Sequence, residues 1–573
     1  MRSLPRIGFG GLAWCLLATL LPSSAHAGEG VLDAMRGELA RSLEVLSEQD
    51  TPAYFLSYEI SEERNVTIAA SFGGVTARVE RERRFLDIDI RVGGYELDNT
   101  HPVRGMRGGG SGRYAPLSVP LADFDALRKV LWFHTDKRYK DAIEQLTRVK
   151  TNIQVTVQDD VQVADFSPEA PEKAVEDLVE FTIDRQLWEE RLERFTAPFS
   201  HSEHVYGADA SVSFTVVTRW FVNSEGAEIR TVEPYVRLFV AASTKAEDGM
   251  NLPRYESFFG RSPDRLPDES TVLAAVDEMV RDLEALRIAP LADPYTGPAI
   301  LSGRASGVFF HEILGHRVEG HRQRSDEDAQ TFKKMLGEAV LPQAFSVIFD
   351  PAVTRAGPTD LAGSYRYDNQ GVKGRRVGVI EAGVLRRFLM SRSPIEGFSG
   401  SNGHGRKQAG YAPVSRQSNL LVEVSETHSS AELKEMLVER LLEEGKEYGL
   451  YFEDIRGGFT FTGRSVPNAF NVLPIKVYRI YTDGREELVR GVDLIGTPLT
   501  TFSKVAAASD EIAVFNGTCG AESGGVPVSA VSPEILVSQV EVQKKAKSQD
   551  TLPLLPPPSA SAPSQTLQWE TAR

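Results

Sequence analysis

The sequence predicts an α+β protein with two domains: a mixed N-terminal α/β domain, then a β-rich sheet or barrel domain carrying one histidine-containing helix. Three observations predict this class. The first half mixes amphipathic helical stretches with runs of alternating polar and apolar residues. The second half contains two hairpin signals, Ala382-Gly383 and Asp483-Gly484, between apolar runs. A chain of 573 residues also exceeds what one hydrophobic core usually supports.

The N-terminal domain is expected over residues 28–295. Its helical stretches place apolar residues on one face, and its strand-like stretches alternate with period two. A glycine-rich loop is expected at residues 105–114 because that stretch is too polar to pack. Helices are predicted at residues 30–47, 121–149 (in two pieces), 174–195 and 268–286, strands at 53–60, 66–79 and 85–92, and a hairpin within 204–242.

The second domain is expected over residues 296–545. A short strand at residues 298–302 precedes a helix that starts near Ala305, and one further helix is predicted at residues 429–446. From residue 546 the composition shifts to Pro, Ser, Ala, Leu and Gln, so residues 546–573 are expected to form a disordered tail.

The N-terminus has the features of a secretory signal peptide over residues 1–27. Arg2 and Arg6 precede an apolar run, and Ala25-His26-Ala27 forms a small-x-small cleavage site. Export to the periplasm or secretion is therefore expected, with no membrane span after cleavage; an uncleaved anchor helix is the alternative. Cleavage would remove Cys15 and leave Cys519 as the lone cysteine, which excludes an internal disulfide.

The charge distribution argues against a nucleic-acid-binding protein. The formal net charge is −16, and no basic block or arginine-rich stripe interrupts it. Nucleic-acid affinity depends on cationic side chains that neutralise phosphates. We therefore expect no nucleic-acid partner.

Chemistry-bearing residues concentrate at residues 308–322, which read VFFHEILGHRVEGHR. His311, Glu312 and His316 are residue types that serve as ligands and proton carriers in zinc hydrolases. The histidines stand at i and i+5, roughly 140° apart on an ideal helix, whereas the familiar i, i+4 spacing separates them by about 40°. We predict a π-turn at Gly315 that aligns the two rings. The alternative is a helix with one core histidine and exposed neighbours.

A catalytic zinc usually takes three protein ligands and one water. The candidates for the third ligand are Glu319, His321, His404 and Cys519. Glycines flank Cys519, so its backbone can approach another element closely, and zinc would shield the lone thiolate from oxidation. A buried, inert cysteine is the alternative.

The second domain resembles the TldD/PmbA family of modulator-of-gyrase peptidases, TldD-type catalytic members in particular. The likeness extends through most of residues 295–545 in order. It rests on Tyr295-Thr296-Gly297-Pro298, the histidine helix with Val318-Glu319-Gly320, Tyr367-Asp368-Asn369-Gln370-Gly371, Ser401-Asn402-Gly403-His404-Gly405-Arg406, Val492-Asp493-Leu494-Ile495-Gly496, Cys519-Gly520 and Val526-Pro527-Val528.

The resemblance implies a zinc-dependent peptidase that acts on extended or unfolded peptides. It implies His311, His316 and Cys519 as metal ligands and Glu312 as the general base, within a dimer of identical or related chains. Two departures stand out. Familiar members lack a signal peptide, and many have Asp where this chain has His321.

The residues themselves suggest the same mechanism in outline. Zinc would lower the pKa of its bound water towards ~7, and Glu312 could take the proton and pass it to the leaving amine. Glu319 could orient a ligand histidine, or be a solvated helix carboxylate, while His321 is expected to be exposed. Asn402, Arg406 and Tyr411 could bind substrate, or lie in a solvated loop.

Two other functions remain open from the sequence. A non-catalytic binding or scaffold subunit of a TldD/PmbA-like dimer is the first, although such partners typically lack the histidine motif. The second is a zinc hydrolase of another amide or ester, because a zinc site does not identify the acyl group.

Overall fold

The structure is a computed structural model that describes residues 24–103, 119–155, 163–324, 328, 330–463, 469–545, 552–553 and 555. The predicted signal peptide, except for residues 24–27, lies outside the described residues. So do the predicted glycine-rich loop and all but three positions of the predicted tail.

Over its described residues, the N-terminal half contains six strands and four α-helices. In chain order they are α1 (Ser24–Ser47), β1 (Ala53–Ser71), β2 (Gly74–Val92), α2 (Phe124–Val155), β3 (Lys173–Val175), α3 (Arg185–Thr196), β4 (Gly207–Asn223), β5 (Glu228–Lys245), β6 (Asn251–Gly260) and α4 (Glu269–Ile288), with 3₁₀ turns at Ala197–His201 and Pro263–Arg265.

The strands of this half form one sheet in the order β2-β1-β4-β5-β3, with β6 also paired to β5. Successive residues of a strand point to opposite faces. On β1, Leu56, Tyr58 and Ile60 pack against α1 and α2, while Ile68 and Ala70 pack against α3 and α4. One face of the sheet is therefore covered by four helices.

The opposite face of this sheet is polar and meets the second half of the chain. Arg219 of β4 donates to the backbone oxygens of Tyr367 and Asp368 at 2.8 and 2.6 Å. Glu59 of β1 forms a buried ion pair with Lys407 at 2.7 Å. Buried charges are tolerated where they are paired and hydrogen-bonded, so these contacts connect the two halves.

The C-terminal half contains fifteen strands and four α-helices within the described residues. In chain order they are β7 (Tyr295–Leu301), α5 (Gly303–Ile313), α6 (His321–Arg324), β8 (Phe345–Phe349), β9 (Arg355–Ala356), β10 (Thr359–Asp360), β11 (Val377–Glu381), β12 (Val384–Leu385), β13 (Gly405–Arg406), β14 (Val414–Ser415), β15 (Asn419–Val424), α7 (Ser430–Glu443), β16 (Tyr448–Thr460), β17 (Phe470–Tyr481), β18 (Glu486–Val489), β19 (Val492–Gly496), α8 (Pro498–Phe502), β20 (Val505–Ala521) and β21 (Gly524–Lys544), with 3₁₀ turns at Gly315–Arg317 and Lys333–Met335.

Five of these strands form a closed ring of pairings. The order β21-β19-β17-β16-β7 closes because β7 also pairs with β21. Helix α5 packs on this ring, and nearly all of its residues are buried. Its apolar residues Val308, Phe309, Phe310 and Ile313 belong to the largest hydrophobic core. A helix with apolar residues on most of its surface is expected to be buried in this way.

The structure confirms the predicted α+β class and a strand-rich second half that carries the histidine helix. It also confirms hairpins at Ala382-Gly383 and Asp483-Gly484. The prediction of a helix over 174–195 is wrong in its first half, because Lys173–Val175 instead pairs with β5 in parallel. The predicted break in the second helix is absent, since α2 is continuous.

The first sheet's last strand ends at Gly260 and the second sheet begins at Tyr295. The predicted domain boundary between residues 295 and 296 stays a prediction. Among the described helices, none combines the length and apolar character that crossing a membrane requires.

Candidate metal centre

Three side chains from separate elements meet beside helix α5. His311 lies near the end of α5, His316 in the following 3₁₀ turn, and Cys519 near the tip of the β20–β21 hairpin. One potential ligand atom from each lies within 4.8 Å of the others, and Cys519 Sγ is 3.3 Å from His316 Nε2. All three residues are at most 9% exposed.

The two histidines converge because the helix ends between them. Helix α5 stops at Ile313, and the backbone tightens into a 3₁₀ turn at Gly315–Arg317. The predicted π-turn is therefore wrong, although the alignment it was meant to explain is present: the rings are 5.1 Å apart at 82°. Because the chain leaves the α-helical path at Leu314, the roughly 140° separation of a continuous helix no longer applies, and the following turn places His316 beside His311.

A glycine is required at position 315 because the Gln417 side chain packs directly against the backbone there. A Cβ atom there would lie 2.0 Å from Oε1 of Gln417, a fully buried side chain. The Nε2 atom of Gln417 donates to the backbone oxygen of His311 at 3.4 Å. The glycine thus lets Gln417 pack against the turn that carries both histidines.

Glycines also let α5 approach the hairpin that carries Cys519. A Cβ on Gly303 would lie 2.9 Å from the backbone nitrogen of Ala513, and one on Gly307 would lie 3.0 Å from Cβ of Ala530. Gly303, Gly307 and His311 recur every four residues, so they lie along one side of the helix. This close packing brings His311 to the strand of Cys519.

Glu319 holds the ring of His316. The Nδ1 atom of His316 donates to Glu319 Oε2 at 3.3 Å, which leaves Nε2 facing Cys519. Glu319 is fully buried, and Arg322 Nε also donates to it at 3.0 Å. Burial opposes its charge, but His316, Arg322 and Arg416 lower the pKa of Glu319 to about 2. A carboxylate behind a ligand histidine is a recurrent feature of metal sites.

Arg416 connects Glu319 to the cysteine. Its Nε lies 3.2 Å from Glu319 Oε1, and its Nη2 donates to both the backbone oxygen and Sγ of Cys519, at 2.7 and 3.2 Å. Its guanidinium is fully buried. Arg416 therefore fixes the thiolate and the carboxylate relative to each other.

The charges of this cluster favour the thiolate form of Cys519. Burial alone would raise its pKa, but the neighbouring His316 and His311 lower the pKa of Cys519 well below 9.0. Burial likewise opposes protonation of His316, yet the Cys519 thiolate and Glu319 raise its pKa well above 6.5. The thiolate is the form of cysteine that binds metals.

The donor set fits zinc. Zinc bonds of about 2.0–2.3 Å to nitrogen and sulfur, at tetrahedral angles, place neighbouring ligand atoms roughly 3.3–3.8 Å apart. The 3.3 Å between Cys519 Sγ and His316 Nε2 matches this spacing. Imidazole nitrogen and thiolate sulfur are both ligand types that zinc prefers, and catalytic zinc usually takes three such protein ligands.

Glu312 is a buried carboxylate beside the cluster. Its Oε2 is buried without a hydrogen-bond partner among the described residues, and burial raises its pKa above 4.5. A Cβ atom on Gly458 of β16 would lie 2.7 Å from Cγ of Glu312, so the glycine provides space for this side chain. A carboxylate whose pKa is raised towards neutrality is suited to proton transfer.

The cluster opens into a cavity of about 1060 Å³ between the first sheet and the ring of strands. Tyr255 of β6 donates to the backbone oxygen of Ile455 on β16 at 2.9 Å, which connects the two sides. The cavity is lined by His311, Glu312, His316 and Cys519, by residues of β5, β6, β16 and β20, and by Arg322 and Glu522.

Other residues singled out from the sequence lie elsewhere. His404 is fully buried, between Asn402 and Ser418, and belongs to no metal-ligand cluster in the described part of the chain. Of the described residues that line the cavity, none is Asn402, Arg406 or Tyr411. Asn402 instead receives the backbone N–H of Met390 and donates to the oxygen of Phe388. The guanidinium of Arg406 stacks 4.5 Å from the Tyr365 ring.

The prediction that His321 is exposed is wrong. Its side chain is 17% exposed and contacts Glu522, which also accepts from Arg322 at 2.8 Å. Sequence reasoning did not find Glu522, Arg416 or Gln417. For Arg416 and Gln417 the sequence carries no signal, because a polar run at residues 415–419 resembles a solvated loop.

Two family models match the chain. The PmbA/TldA metallopeptidase central domain matches residues 168–286, and the PmbA/TldA metallopeptidase C-terminal domain matches residues 294–544. Together they cover more than half of the chain. The chain belongs to the PmbA/TldD metallopeptidase family. This family membership confirms the resemblance found in the sequence.

Relatives of this PmbA/TldD protein are named metalloproteases. A metalloprotease of Methanocaldococcus jannaschii is 30% identical over 230 residues, which cover 40% of this chain and 47% of that protein. A metalloprotease of Methanothermobacter thermautotrophicus is 26% identical over 354 residues, covering 60% and 72%. The zinc metalloprotease TldD homolog of Saccharolobus solfataricus is 25% identical over 256 residues, covering 44% and 52%. The matches thus span 47% to 72% of these relatives.

Solved structures of PmbA/TldD proteins share the fold. A putative modulator of a DNA gyrase from Thermotoga maritima has a TM-score of 0.56 at 16% identity, covering 88% of this chain and 99% of that one. TldE from Thermococcus kodakarensis has a TM-score of 0.56 at 14% identity, covering 89% and 100%. Identities this low establish the fold alone.

Proposed function

We propose that this chain is a zinc-dependent peptidase that hydrolyses extended or unfolded peptides. The observation that carries the proposal is one juxtaposition: ligand atoms of His311, His316 and Cys519 lie within 4.8 Å of one another, and the unpartnered carboxylate of Glu312 lines the same cavity. The names of the relatives support a metallopeptidase.

His311, His316 and Cys519 would hold the metal. When bound, zinc supplies a Lewis acid for the scissile carbonyl and for the attacking water. Glu319 fixes His316 through Nδ1, and Arg416 fixes the thiolate. These contacts keep the donor atoms in place before the ion arrives, which reduces the cost of binding it.

Glu312 acts as the general base. Its unpartnered Oε2 is available to take a proton from the attacking water and to hold it until the leaving amine departs. Burial raises the pKa of Glu312, which makes the carboxylate a stronger base than an exposed glutamate. Gly458 keeps the space around this side chain open.

The dimensions of the cavity support a peptide substrate in extended form. About 1060 Å³ accommodates several residues of a chain but no folded domain. Strands β5, β6, β16 and β20 line it, so a substrate would lie along strand surfaces. A dimer with an identical or related chain, which the family resemblance implies, completes the proposal.

We also propose that the protein is exported to the periplasm or secreted, because residues 1–27 have the features of a signal peptide. N-terminal sequencing of the mature protein should begin at Gly28. A mature protein that begins at Met1 in the cytoplasm would contradict this.

The function is tested with the purified full-length chain, an unfolded polypeptide and a panel of small esters and amides. Cleavage of the polypeptide is expected to stop when a chelator removes the metal and to return with stoichiometric zinc. Turnover of esters without peptide cleavage would favour the non-peptide hydrolase. Binding of polypeptide with no cleavage by the zinc-loaded protein would favour a scaffold subunit.

A further inference from the structure

The cavity beside the metal centre is rich in arginine. Six arginines line it within the described residues, and four of them are paired with carboxylates. The paired arginines and their acidic partners are Arg265 and Arg355 with Asp360, Arg304 with Glu256 and Asp454, and Arg322 with Glu319 and Glu522.

Arg237 of β5 differs from these four arginines because its hydrogen-bond partners are neutral. Its Nη1 donates to Ser257 Oγ at 3.2 Å and to the backbone oxygen of Asn516 at 3.3 Å, both neutral groups. No carboxylate pairs with it within the part of the chain that the structure describes. Its side chain is partly buried against the Phe259 ring, with the guanidinium 5.5 Å from the ring centroid. A partly buried cation without a counter-charge is costly unless an anion joins it.

Arg456 is the second unpaired arginine of the cavity. It lies on β16, is exposed, and has no carboxylate partner among the described residues. Its position is two residues from Gly458, the residue that faces Glu312. Arg237 and Arg456 therefore come from the two sides of the cavity, the first sheet and the ring of strands.

The acidic residues of the cavity do not neutralise this pair. Glu522 is already paired with His321 and Arg322, and Glu312 is the proposed base. Asp264 is the remaining described acid in the lining, and it is exposed. The cavity thus has a surplus of cationic side chains.

Arg237 lies at a distance from the metal centre that a few residues of an extended peptide can span. Its partner Asn516 precedes Cys519 by three residues on β20, and extended strands rise about 3.3 Å per residue, so the separation is on the order of 10 Å. An extended peptide covers the same length in about three residues. Aromatic rings adjoin the arginine: Phe239 and Tyr255 stack at 5.7 Å along the same cavity wall.

We propose that Arg237 and Arg456 bind a carboxylate of the peptide substrate, which gives the cavity a preference for acidic peptides. The carboxylate comes from an aspartate or glutamate side chain or from the peptide's C-terminus. Guanidinium groups bind carboxylates through paired, charge-assisted hydrogen bonds. The proposal rests on the proposed peptidase function for the identity of the ligand.

The test measures peptide binding separately from hydrolysis. Dissociation constants are measured by fluorescence anisotropy with the zinc-loaded Glu312→Gln variant and four labelled peptides of one neutral sequence. The first peptide is blocked at both ends, the second carries a central Glu, the third has a free C-terminal carboxylate, and the fourth carries a central Lys. The same set is measured after adding Arg237→Gln, Arg456→Gln or Arg375→Gln, the last being an exposed arginine outside the cavity.

We expect the Glu peptide or the free-carboxylate peptide to bind roughly tenfold tighter than the blocked neutral peptide. The peptide whose affinity increases identifies the source of the carboxylate. Tighter binding of the Glu peptide indicates a side chain, and tighter binding of the free-carboxylate peptide indicates the C-terminus. Arg237→Gln and Arg456→Gln should each reduce this preference and leave the neutral peptide unchanged, whereas Arg375→Gln should change nothing. Arg237→Lys should restore part of the preference.

Equal affinity for acidic, neutral and basic peptides would overturn the proposal. So would a preference that survives in both Arg237→Gln and Arg456→Gln. Because Arg237 also contacts Asn516, its variants are checked by thermal unfolding; the exposed Arg456 keeps the test decisive if they unfold. Peptide cleavage by Glu312→Gln would contradict the assigned base without affecting these binding constants, which can then be measured with metal-free protein.

Discussion

The Sγ atom of Cys519 lies 3.3 Å from Nε2 of His316, although 203 positions of the chain separate the two residues. The contact depends on the packing of helix α5 against the β20–β21 hairpin, where Gly303 and Gly307 allow close approach. The candidate metal centre is therefore assembled by the fold, and each of its contacts can be tested separately.

Cys519→Ser should remove most of the bound metal. A serine hydroxyl stays protonated at neutral pH and is a far poorer zinc ligand than a thiolate. Metal content by elemental analysis checks this, together with the charge-transfer absorption of the cobalt-substituted protein, which requires a sulfur ligand. Thr518→Ser, at the exposed neighbouring position, is the matched control. Stoichiometric zinc in Cys519→Ser would contradict the ligand assignment.

Glu319→Gln should weaken metal binding by about 10–100-fold while leaving all three ligands in place. The amide cannot supply the negative charge that His316, Arg322 and Arg416 surround. Competition with a zinc chelator measures the affinity, and circular dichroism reports whether the variant folds. Unchanged affinity in a folded Glu319→Gln protein would show that the carboxylate does not support His316.

Gly315→Ala should destabilise the protein by about 1–3 kcal/mol, because the added Cβ overlaps the Gln417 side chain. Denaturant unfolding of the metal-free protein measures the change. Adding Gln417→Ala should recover part of the loss, since it removes the overlapping atoms. Gly37→Ala on α1 is the comparison: its Cβ would meet nothing within 4 Å, so this substitution should stabilise the helix by about 0.5–1 kcal/mol instead of destabilising the protein. If the changes in unfolding free energy from Gly315→Ala and Gln417→Ala are additive, the close approach of Gln417 to residue 315 does not affect stability.

His404 should make the fold sensitive to acid. Burial lowers its pKa to about 3, against 6.5 in the unfolded chain, so the unfolded state binds the proton first as the pH falls. The stability that neutral His404 contributes is complete above pH 6.5 and is lost between pH 6.5 and 3. Relative to His404→Gln, the wild type should lose about 1.4 kcal/mol of unfolding free energy between pH 7.5 and 5.5.

Denaturant unfolding of both proteins at the two pH values, with a chelator present, measures this difference. The chelator removes bound metal, so the ligand residues contribute equally to the pH dependence of both proteins. Burial raises the pKa of Asp368 to about 6, and this residue also contributes equally because it is present in both proteins. Parallel pH dependence in wild type and His404→Gln would refute the prediction.

Much of this architecture follows from local patterns. Alternation along β4 and β5 and the turn around Gly226 predict their hairpin, and apolar periodicity predicts α4 and α7. The short strand at Lys173–Val175 was missed because its pairing with β5 is non-local. Such pairing depends on tertiary contacts that a local window does not contain.

The site was predictable in its residue types but not in its geometry. The spacing of His311 and His316 revealed that a regular helix was inadequate, yet it could not distinguish a π-turn from a helix that ends in a 3₁₀ turn. Arg416 and Gln417 were missed because hydropathy assigns a polar run to the surface. Both are fully buried, and both donate to backbone oxygens far away in the chain, Arg416 to Cys519 and Gln417 to His311.

The most direct test of the central claim is turnover and zinc content in Glu312→Gln. The variant keeps all three proposed ligands and removes only the proposed base, so we expect stoichiometric zinc and a loss of at least ~100-fold in peptide cleavage. Glu439→Gln, at an exposed position of α7, should match the wild type. Unimpaired cleavage by zinc-loaded Glu312→Gln would contradict the account.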